Sequence, residues 1–340
     1  MKTIADIAMA AGVSKSTVSR VLNNRPGVNP IARQKIQAII DESHFTANIS
    51  AKNLKARHSD TVGIMVPLMT SKSVASFIHG MTTELESQRI QILLMNTGMD
   101  TDKAINSVKM LNSKGVDGMI ALVAGYNQPL INTFRESECP VVAVGQDLSL
   151  FNVPSVFYDD YRCGYMAGQQ LVECGCKQLL FVGISPMDVA LGRQRRRGFE
   201  DAISIAGVDC RYIENCDLFV ESGREKTAEI LAQGYCPDGV FGVTDRIAAG
   251  ASQALRQAGI IPGEDVALIG VGDDELCSVL TPPLATVHYD HEQVGQQAAQ
   301  VLMDLVRSKD GETPTSYAYI HQGHFTWRES CQLKNTMPSV

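Results

Sequence analysis

Residues 3–23 read TIADIAMAAGVSKSTVSRVLN, a stretch in which two short helical patterns are separated by a turn. Thr3 is a helix-capping residue before the first pattern, and Asp6 follows it three positions later as a capping-box partner. Gly12 suits the left-handed position that ends a helix, and Ser14 suits the cap of the next helix. A helix, a turn of about four residues and a second helix are typical of a helix-turn-helix motif.

The second helix of this motif has two chemically different faces. Its apolar residues recur at helical spacing and are expected to pack inward. Polar and basic side chains project from the other face: Lys15, Ser16, Ser19 and Arg20. In a helix-turn-helix, side chains at such positions contact base edges or phosphates in the major groove of DNA. A plain three-helix bundle would show the same caps and apolar stripes but would not need this outer face.

The charge distribution favours the same interpretation. A third helix is predicted to start at Asn29, a cap, followed by Pro30 at the first helical position. Residues 1–59 carry nine Lys or Arg and three acidic residues, a net charge of +6, whereas the rest of the chain carries −13. A basic head on an acidic body is typical of a nucleic-acid module joined to another domain. Composition alone also allows a chance cluster of charges on a solvated face.

Length and composition exclude several classes of protein. The 340 residues are enough for two or three domains, and 44% hydrophobic with 20% charged residues is ordinary for a globular protein. Apolar runs stay well short of 18 residues and Asp6 interrupts the amino-terminal one, so we expect neither a membrane span nor a signal peptide. Nine cysteines without regular spacing favour a reducing compartment, and we expect a cytoplasmic protein.

From Thr61 onward, short apolar runs alternate with helical patterns, which predicts an α/β fold. Strands are predicted at 62–68, 90–95, 118–123, 141–144, 178–182, 239–243 and 266–270. Helices are predicted near 73–88, 101–114, 127–137, 160–174, 192–206, 222–233, 245–258 and 291–307. So many strand–helix units imply doubly wound parallel sheets in two lobes, with the break near 155–161 and a return crossing near 286–292. A cleft at the carboxyl ends of the strands is the usual ligand site.

Residues 4–23 resemble the amino-terminal signature of the LacI/GalR family of bacterial transcription regulators. By this resemblance, Lys15 and Ser16 stand where the family reads operator bases. Arg20 stands at its base- or phosphate-contacting arginine, and Asn23 at a backbone contact. The predicted DNA-contacting residues are Thr3, Ser14, Lys15, Ser16, Thr17, Ser19, Arg20, Asn23, Asn48, Ala51 and Leu54.

Residues 48–57, NISAKNLKAR, resemble the hinge helix of that family. Ala51 and Leu54 are three residues apart and would share one face of a short helix. The residue that matches Leu54 is an apolar wedge in the minor groove, which kinks the duplex. An ordinary basic linker is the alternative.

The resemblance extends over the body of the chain, through Tyr158-Asp159-Asp160, residues 195–199 (RRRGF) and residues 281–287 (TPPLATV). It implies a two-lobed core similar to periplasmic sugar-binding proteins. The implied domains are a helix-turn-helix domain at 1–46, a hinge helix at 47–58, a core at 59–330 and a tail at 331–340. Within the core, lobe 1 covers about 59–158 plus 290–320, and lobe 2 about 159–288 plus 321–330. The tail is too short for the heptads of a tetramerising coiled coil.

The resemblance also implies effector-binding residues in the cleft. Arg195 matches the family's cleft arginine, whose planar and permanently charged fork suits sugar hydroxyls or acids. The alternative is a surface cation among its neighbouring arginines. Two positions depart from the usual pattern: Thr244-Asp245 replaces Asn-Asp, and Gly272-Asp273 replaces Asp-Asp, so one effector-binding carboxylate is missing.

These departures, together with Asp188, resemble the trehalose-operon repressor branch, which binds a phosphorylated disaccharide with extra arginines. The corresponding positions here are Leu68 and Gln146, which cannot neutralise a phosphate, although Lys72 is close enough in sequence to substitute. His291 opens the helix after the return crossing and lines the cleft or is a hydrogen-bonded core or surface histidine. The predicted effector-binding residues are Leu68, Lys72, Gln146, Asp188, Arg195, Thr244, Asp245, Gly272, Asp273 and His291.

We find no pattern that indicates catalysis. The Gly270-Val271-Gly272 stretch lacks the third glycine of a dinucleotide-binding loop, and the His and Cys pairs lack the spacing of a zinc site. The sequence predicts a homodimeric, DNA-binding repressor of a carbohydrate operon, without enzymatic activity, cofactor or membrane. A disaccharide such as trehalose or its 6-phosphate would control binding to a palindromic operator. The alternatives are another sugar or sugar acid, such as sucrose or gluconate, and a sugar-binding protein without DNA function.

Overall fold

The structure, a computed structural model, describes residues 3–22, 25–43, 59–308 and 317–332. The chain forms two compact units, Met1–Ser59 and Asp60–Val340. The first unit contains the helices Ile4–Ala11 (α1), Lys15–Leu22 (α2) and Pro30–Glu42 (α3). Among the described residues, no helix is long and apolar enough to cross a membrane.

The helix starts of the first unit follow the local sequence signals. Thr3 and Asp6 form a reciprocal capping box on α1, and Gly12 ends that helix at φ 70°. The Ser14 hydroxyl accepts the Thr17 amide at 3.2 Å, and Asn29 caps α3. A small apolar core holds the three helices together, with these residues buried: Ile7, Ala8, Ala11, Val18, Val21, Ile36 and Ile40. The predicted three-helix arrangement is therefore confirmed.

The second unit alternates strands and helices. Its strands are Thr61–Val66 (β1), Gln91–Asn96 (β2), Gly118–Leu122 (β3), Val141–Val144 (β4), Ser155–Tyr158 (β5), Gln178–Val182 (β6), Asp209–Ile213 (β7), Gly239–Gly242 (β8), Ala267–Gly272 (β9), Ala285–His288 (β10), Ala318–His321 (β11) and His324–Thr326 (β12). Its helices are Lys72–Ser87 (α4), Thr101–Lys114 (α5), Gln128–Arg135 (α6), Asp160–Glu173 (α7), Arg195–Ile205 (α8), Val220–Ala232 (α9), Asp245–Gln257 (α10), Leu276–Val279 (α11) and His291–Arg307 (α12).

The strands form two six-stranded sheets, one in each lobe. The first has the order β11-β5-β4-β3-β1-β2 and is parallel throughout. The second has the order β12-β10-β9-β8-β6-β7 and is parallel except for β12, which pairs antiparallel with β10. The chain passes between the sheets after β5, after β10 and between β11 and β12. The predicted two-lobed, doubly wound α/β fold is confirmed.

Two details differ from the sequence-based expectations. The continuous apolar runs became strands as predicted, but β5, β7 and the three strands from β10 onward were not predicted because they are short or half-exposed. The helix predicted at 192–206 was wrong at its start. Residues Val189–Gln194 form a π-helical turn before α8, and Gly192 lies so close to the backbone that a Cβ there would be 2.2 Å from the Ser185 carbonyl oxygen.

Candidate functional site

The outer face of α2 presents the polar and basic residues that the sequence predicts. Lys15, Ser16 and Arg20 are exposed, while Val18 and Val21 are buried on the opposite face. Among residues 3–22 and 25–43, no ion pair holds Lys15 or Arg20. Both cations lie on the exposed face of α2.

A chain of hydroxyl groups lies at the start of α2. The Ser14 hydroxyl is 2.7 Å from that of Ser16 and 2.8 Å from that of Thr17. Ser14 thus caps the helix and also orients Ser16, one of the residues predicted to contact bases. Thr3 is exposed and committed to its capping box, and Ser19 is half-buried. The predicted hinge helix and four of the predicted DNA contacts lie outside the described residues: Asn23, Asn48, Ala51 and Leu54.

A cavity of about 380 Å³ lies between the two lobes of the second unit. Loops that follow strands of both sheets line it, together with the segments that pass between the sheets. Its lining includes nine of the ten residues predicted to bind the effector: Leu68, Lys72, Asp188, Arg195, Thr244, Asp245, Gly272, Asp273 and His291. The tenth, Gln146, does not line this cavity. Residues distant in sequence therefore meet at one site.

Arg195 is a buried cation held by a buried carboxylate. Its side chain is about 6% exposed, and its Nε donates to Asp160 Oδ1 at 2.7 Å. Its Nη1 donates to the Val243 carbonyl oxygen, and its guanidinium lies over the Tyr289 ring at 5.7 Å. Burial raises the pKa of Asp160, and Arg195 opposes that rise. Much of the arginine's donor capacity is thus used within the protein, and the predicted surface alternative is wrong.

The neighbouring arginines face elsewhere. Arg193 is exposed and donates to the Pro186 carbonyl oxygen, and Arg197 lies over a tyrosine ring on α7. Arg196 forms ion pairs with Glu200 and Glu214. Of these four consecutive or near-consecutive arginines, Arg195 is the one that lines the cavity.

Asp245 is largely committed to the backbone and side chains around it. Its Oδ1 accepts the Thr286 hydroxyl at 2.6 Å, and its Oδ2 accepts the Asp274 amide at 2.7 Å. Burial raises its pKa to about 6. The preceding residue, Thr244, caps α10 through its hydroxyl. Both residues line the cavity, and Asp245 also ties the start of α10 to β10 and to the loop after β9.

Asp273 is likewise held from two sides. Arg328 donates to its Oδ1 at 2.7 Å, and His288 Nδ1 lies 2.9 Å from its Oδ2. Although burial opposes the effect, these two partners hold the pKa of Asp273 below its ordinary value. Asp273 has a positive φ of 58°, and Gly272 before it has φ 129°. A side chain at Gly272 would be strained and would approach Asp245, so the missing carboxylate has a local structural reason.

Gln146 occupies a different place from the one expected of an effector ligand. It is 1% exposed and is not among the residues that line the 380 Å³ cavity. Its Nε2 donates to Asp188 Oδ1 at 2.9 Å, and its Oε1 accepts the Ala190 amide at 3.0 Å. Gln146 follows β4 in one lobe, whereas Asp188 and Ala190 follow β6 in the other. We call Gln146, Asp188 and Ala190 the inter-lobe clasp, because the nitrogen and the oxygen of the Gln146 side-chain amide both form hydrogen bonds to the other lobe.

Two further polar contacts of cavity-lining residues bridge the lobes. Arg246 Nη2 donates to the Thr70 carbonyl oxygen at 3.0 Å. Lys72 Nζ lies 3.8 Å from Glu275 Oε2, with both side chains more than half exposed. Such an exposed ion pair contributes little stability. The clasp is the buried connection among these three.

His291 begins α12 and lines the cavity as a half-buried, hydrogen-bonded histidine. Its Nδ1 shares a hydrogen bond of 2.8 Å with the Tyr158 hydroxyl, and its ring lies 4.8 Å from the Phe77 ring. Burial lowers its pKa to about 4, so the imidazole is neutral near pH 7. His291 therefore both lines the cavity and forms a hydrogen bond, although the sequence analysis treated these as alternatives.

Sequence reasoning missed several residues of this site. Asp160 lies in the Tyr158-Asp159-Asp160 motif but was not predicted to line the cavity, and Arg246, Tyr289 and Arg328 carried no recognisable signal. Asp160 pairs with Arg195, and Asp273 pairs with His288 and Arg328. The partners are far apart in sequence, so helical or strand periodicity cannot reveal these pairs. Within the described ranges, no group of three or more His, Cys, Asp or Glu could hold a metal ion.

Comparison with known proteins agrees with this architecture. Residues 3–48 match the family model of bacterial regulatory proteins of the lacI family. Residues 59–322 match the model described as periplasmic binding proteins and sugar binding domain of the LacI family.

Individual relatives cover nearly the whole chain. The sucrose operon repressor of Staphylococcus xylosus is 29% identical over 311 residues, which are 90% of this chain and 94% of that protein. The Lac repressor dimer bound to operator and the anti-inducer ONPF superimposes with a TM-score of 0.85 at 22% identity, covering 97% and 99% of the chains. The transcriptional regulator CelR in complex with cellobiose gives a TM-score of 0.71 at 27% identity, covering 97% and 100%.

Proposed function

The chain belongs to the LacI family of bacterial regulatory proteins, DNA-binding transcriptional repressors with a sugar-binding domain, and from that premise we propose that it controls a carbohydrate-utilisation operon in response to a neutral disaccharide. A homodimer would place two α2 helices in successive major grooves of a palindromic operator. Its relatives are repressors rather than enzymes.

The outer face of α2 supports the DNA-binding half of the proposal. Lys15, Ser16 and Arg20 are exposed, and hydroxyl groups at the helix start are aligned with them. The positive charge attracts phosphates irrespective of sequence, whereas the side chains that reach base edges provide specificity. We propose Lys15, Ser16 and Arg20 as base- or phosphate-contacting residues.

The charge balance of the cavity is the observation that carries the choice of a neutral ligand. Among the described residues, seven carboxylates line it: Asp160, Asp188, Asp245, Asp273, Asp274, Asp290 and Glu292. Three permanent cations line it: Lys72, Arg195 and Arg246. Each of these cations already has a partner in Glu275, Asp160 or the Thr70 carbonyl oxygen, respectively. A phosphate or sugar acid would enter a net negative field, so both are disfavoured against a neutral sugar.

The size of the ligand is consistent with a disaccharide. A volume of about 380 Å³ lies within the range of roughly 300–1,000 Å³ that is usual for small-molecule sites. Two relatives carry disaccharide names, one as a sucrose operon repressor and one as a cellobiose complex. The trehalose-like pattern around Asp188 and Gly272 makes trehalose a candidate beside sucrose and cellobiose.

Isothermal titration calorimetry of the purified protein tests this proposal. The ligands are trehalose, sucrose and cellobiose, with trehalose 6-phosphate, gluconate and the component monosaccharides for comparison. We expect one neutral disaccharide to bind and the phosphorylated and acidic sugars to be rejected. Exclusive binding of trehalose 6-phosphate or gluconate would overturn the choice of a neutral ligand. Absence of binding by every carbohydrate tested would overturn the sugar-responsive function itself.

A further inference from the structure

Two thiol groups that are 157 residues apart in the chain meet inside the second unit. Cys174 directly follows α7, and Cys331 closes a short 3₁₀ turn at Glu329–Cys331. Their Sγ atoms are 3.5 Å apart, and Cys174 Sγ also donates to the Cys331 carbonyl oxygen at 3.1 Å. Because a disulfide bond is about 2.05 Å long, an approach of about 1.5 Å joins the two sulfurs.

Hydrogen bonds hold the turn that carries Cys331 against the second sheet. The Ser330 hydroxyl donates to the Leu268 carbonyl oxygen of β9 at 2.6 Å and accepts the Ala285 amide of β10 at 2.8 Å. Arg328, the residue before the turn, donates to Asp273. The sheet therefore fixes the position in which Cys331 faces Cys174.

The two thiols differ in reactivity. The Cys331 thiol can donate a hydrogen bond to the thiolate of Cys174, and this contact lowers the pKa of Cys174 and raises the pKa of Cys331. Burial instead raises the pKa of Cys163 and of Cys176 to about 12. Cys174 is also 9% exposed, whereas Cys331 is 1% exposed. Since the thiolate is the nucleophile, Cys174 is the attacking sulfur of the pair and Cys331 the resolving one.

We propose that Cys174 and Cys331 form a reversible disulfide bond when the protein meets a hydroperoxide. The Cys174 thiolate attacks one oxygen of hydrogen peroxide, the O–O bond breaks, and the departing hydroxide takes up a proton to become water. Cys174 is then a sulfenic acid. The Cys331 sulfur attacks the sulfenic sulfur, the S–O bond breaks, and the oxygen leaves as water with the Cys331 proton. The two thiols lose two electrons in total, and these electrons reduce the peroxide to two water molecules.

This disulfide site is separate from the sugar cavity, because neither cysteine lines the 380 Å³ cavity. The bond ties the end of α7 to the turn next to Arg328, which holds the cavity-lining Asp273. A reducing compartment, which the cysteine pattern favours, keeps such a pair reduced until an oxidant appears. The site therefore responds to oxidants independently of any sugar.

Peptide mapping of the full-length protein tests the proposal. The reduced protein is treated with a small excess of hydrogen peroxide, its remaining thiols are blocked with N-ethylmaleimide in denaturant, and it is digested without reductant. Trypsin releases residues 163–177, which contain Cys174, and residues 329–334, which contain Cys331. We expect mass spectrometry to find these two peptides joined, and dithiothreitol to separate them. Recovery of the two peptides unjoined after peroxide treatment would overturn the inference.

Cysteine variants identify the joined sulfurs. We expect Cys174→Ser to reduce the signal of the joined peptides at least about tenfold, because it removes the attacking thiolate. Cys176→Ser is the matched control. Cys176 lies in the same peptide and is buried, but its Sγ donates to the Asp238 carbonyl oxygen at 3.2 Å, so we expect the joined peptides to persist. Joined peptides that survive Cys174→Ser would overturn the inference.

Thermal unfolding shows whether the bond fits the folded protein. We expect peroxide to raise the midpoint of unfolding by several degrees, because the cross-link restricts the unfolded chain, and dithiothreitol to reverse the shift. The shift should be absent in Cys331→Ser. A midpoint that stays the same or falls while the peptides are joined would mean that the bond does not suit the native pair, and would overturn the inference.

Discussion

The α2 face and the inter-lobe cleft are built from very different lengths of chain. Residues 14–22 supply the cap, the buried side and the outer side of α2, so each role depends on a neighbour a few positions away. The cleft instead joins Lys72 to Glu275 and Gln146 to Asp188. Local patterns therefore suffice to assign side chains on α2, whereas a role in the cleft depends on partners that only the fold brings together.

The largest expected effect concerns the buried Asp160–Arg195 pair. Asp160→Asn keeps the size of the side chain but leaves the Arg195 charge without its counterion. We expect the free energy of unfolding to fall by about 3–5 kcal/mol, because an uncompensated buried charge is strongly destabilising. Urea denaturation measures it.

Glu214→Gln is the control for that variant. It breaks the partly exposed ion pair between Glu214 and Arg196, the residue next to Arg195 on α8. We expect the free energy of unfolding to fall by less than about 1 kcal/mol. Similar losses in the two variants would contradict the distinction between a buried pair in the cleft and a solvated pair outside it.

The next prediction tests whether Gln146 joins the two lobes or binds the effector. Gln146→Ala removes both hydrogen bonds from this side chain to the other lobe, one of them to a carboxylate. We expect the ligand-free protein to lose about 1.5–3 kcal/mol of unfolding free energy, as for hydrogen bonds to charged groups. A residue that served the effector alone would leave the ligand-free protein unchanged, and that result in urea denaturation would remove the clasp from the account.

A change of comparable size in the free energy of operator binding is expected when a residue on the exposed face of α2 is replaced. Arg20→Ala should weaken operator binding by about 1–3 kcal/mol, the range for a base-contacting arginine, measured by fluorescence anisotropy. Sugar affinity in calorimetry should not change. Arg135→Ala, at the end of α6 in the second unit, makes the same change in net charge as a control. Equal weakening by the two variants would reduce the role of Arg20 to net charge.

The smallest effect is a pH dependence at the clasp. Burial raises the pKa of Asp188 from 3.8 to about 6, so the folded protein binds the proton more tightly than the unfolded chain. The stability contributed by this protonation is therefore complete below about pH 4 and is lost as the pH rises through about 6. His291, with its pKa lowered to about 4, gives the opposite trend, so a difference between variants is needed.

Asp188→Asn provides that difference. Between pH 6 and 4, the wild-type protein should gain stability relative to this variant by roughly 1 kcal/mol per pH unit. Denaturation curves at several pH values measure the gain. A constant difference across this range would mean that the Asp188 carboxylate keeps an ordinary pKa in the folded protein.

The same contrast explains how far the sequence could predict the molecule. The capping box at Thr3, the left-handed Gly12 and the buried apolar runs are local signals, and they predicted the helices of the first unit and the strands of both sheet centres. The edge strand β7 and the antiparallel β12 lack a continuous apolar run, so their pairing arises from the sheets themselves.

The cleft shows where prediction from sequence stops. Resemblance brought most of the right side chains to one cavity, because family motifs mark positions in the fold. It could not foresee that Gln146 joins the lobes or that Thr286 and Arg328 occupy the oxygens of Asp245 and Asp273. These partners lie 41 to 55 residues away along the chain, where neither spacing nor hydrophobic period carries information.

Coupling between the sugar cleft and DNA binding is the central claim, and one titration tests it directly. A fluorescent operator duplex, selected from a random-sequence library with the wild-type protein, is titrated with and without a saturating disaccharide that calorimetry shows to bind. We predict that the sugar shifts the apparent Kd by at least about fivefold, the lower end of typical allosteric coupling. Superimposable titration curves, with the sugar bound, would contradict the account.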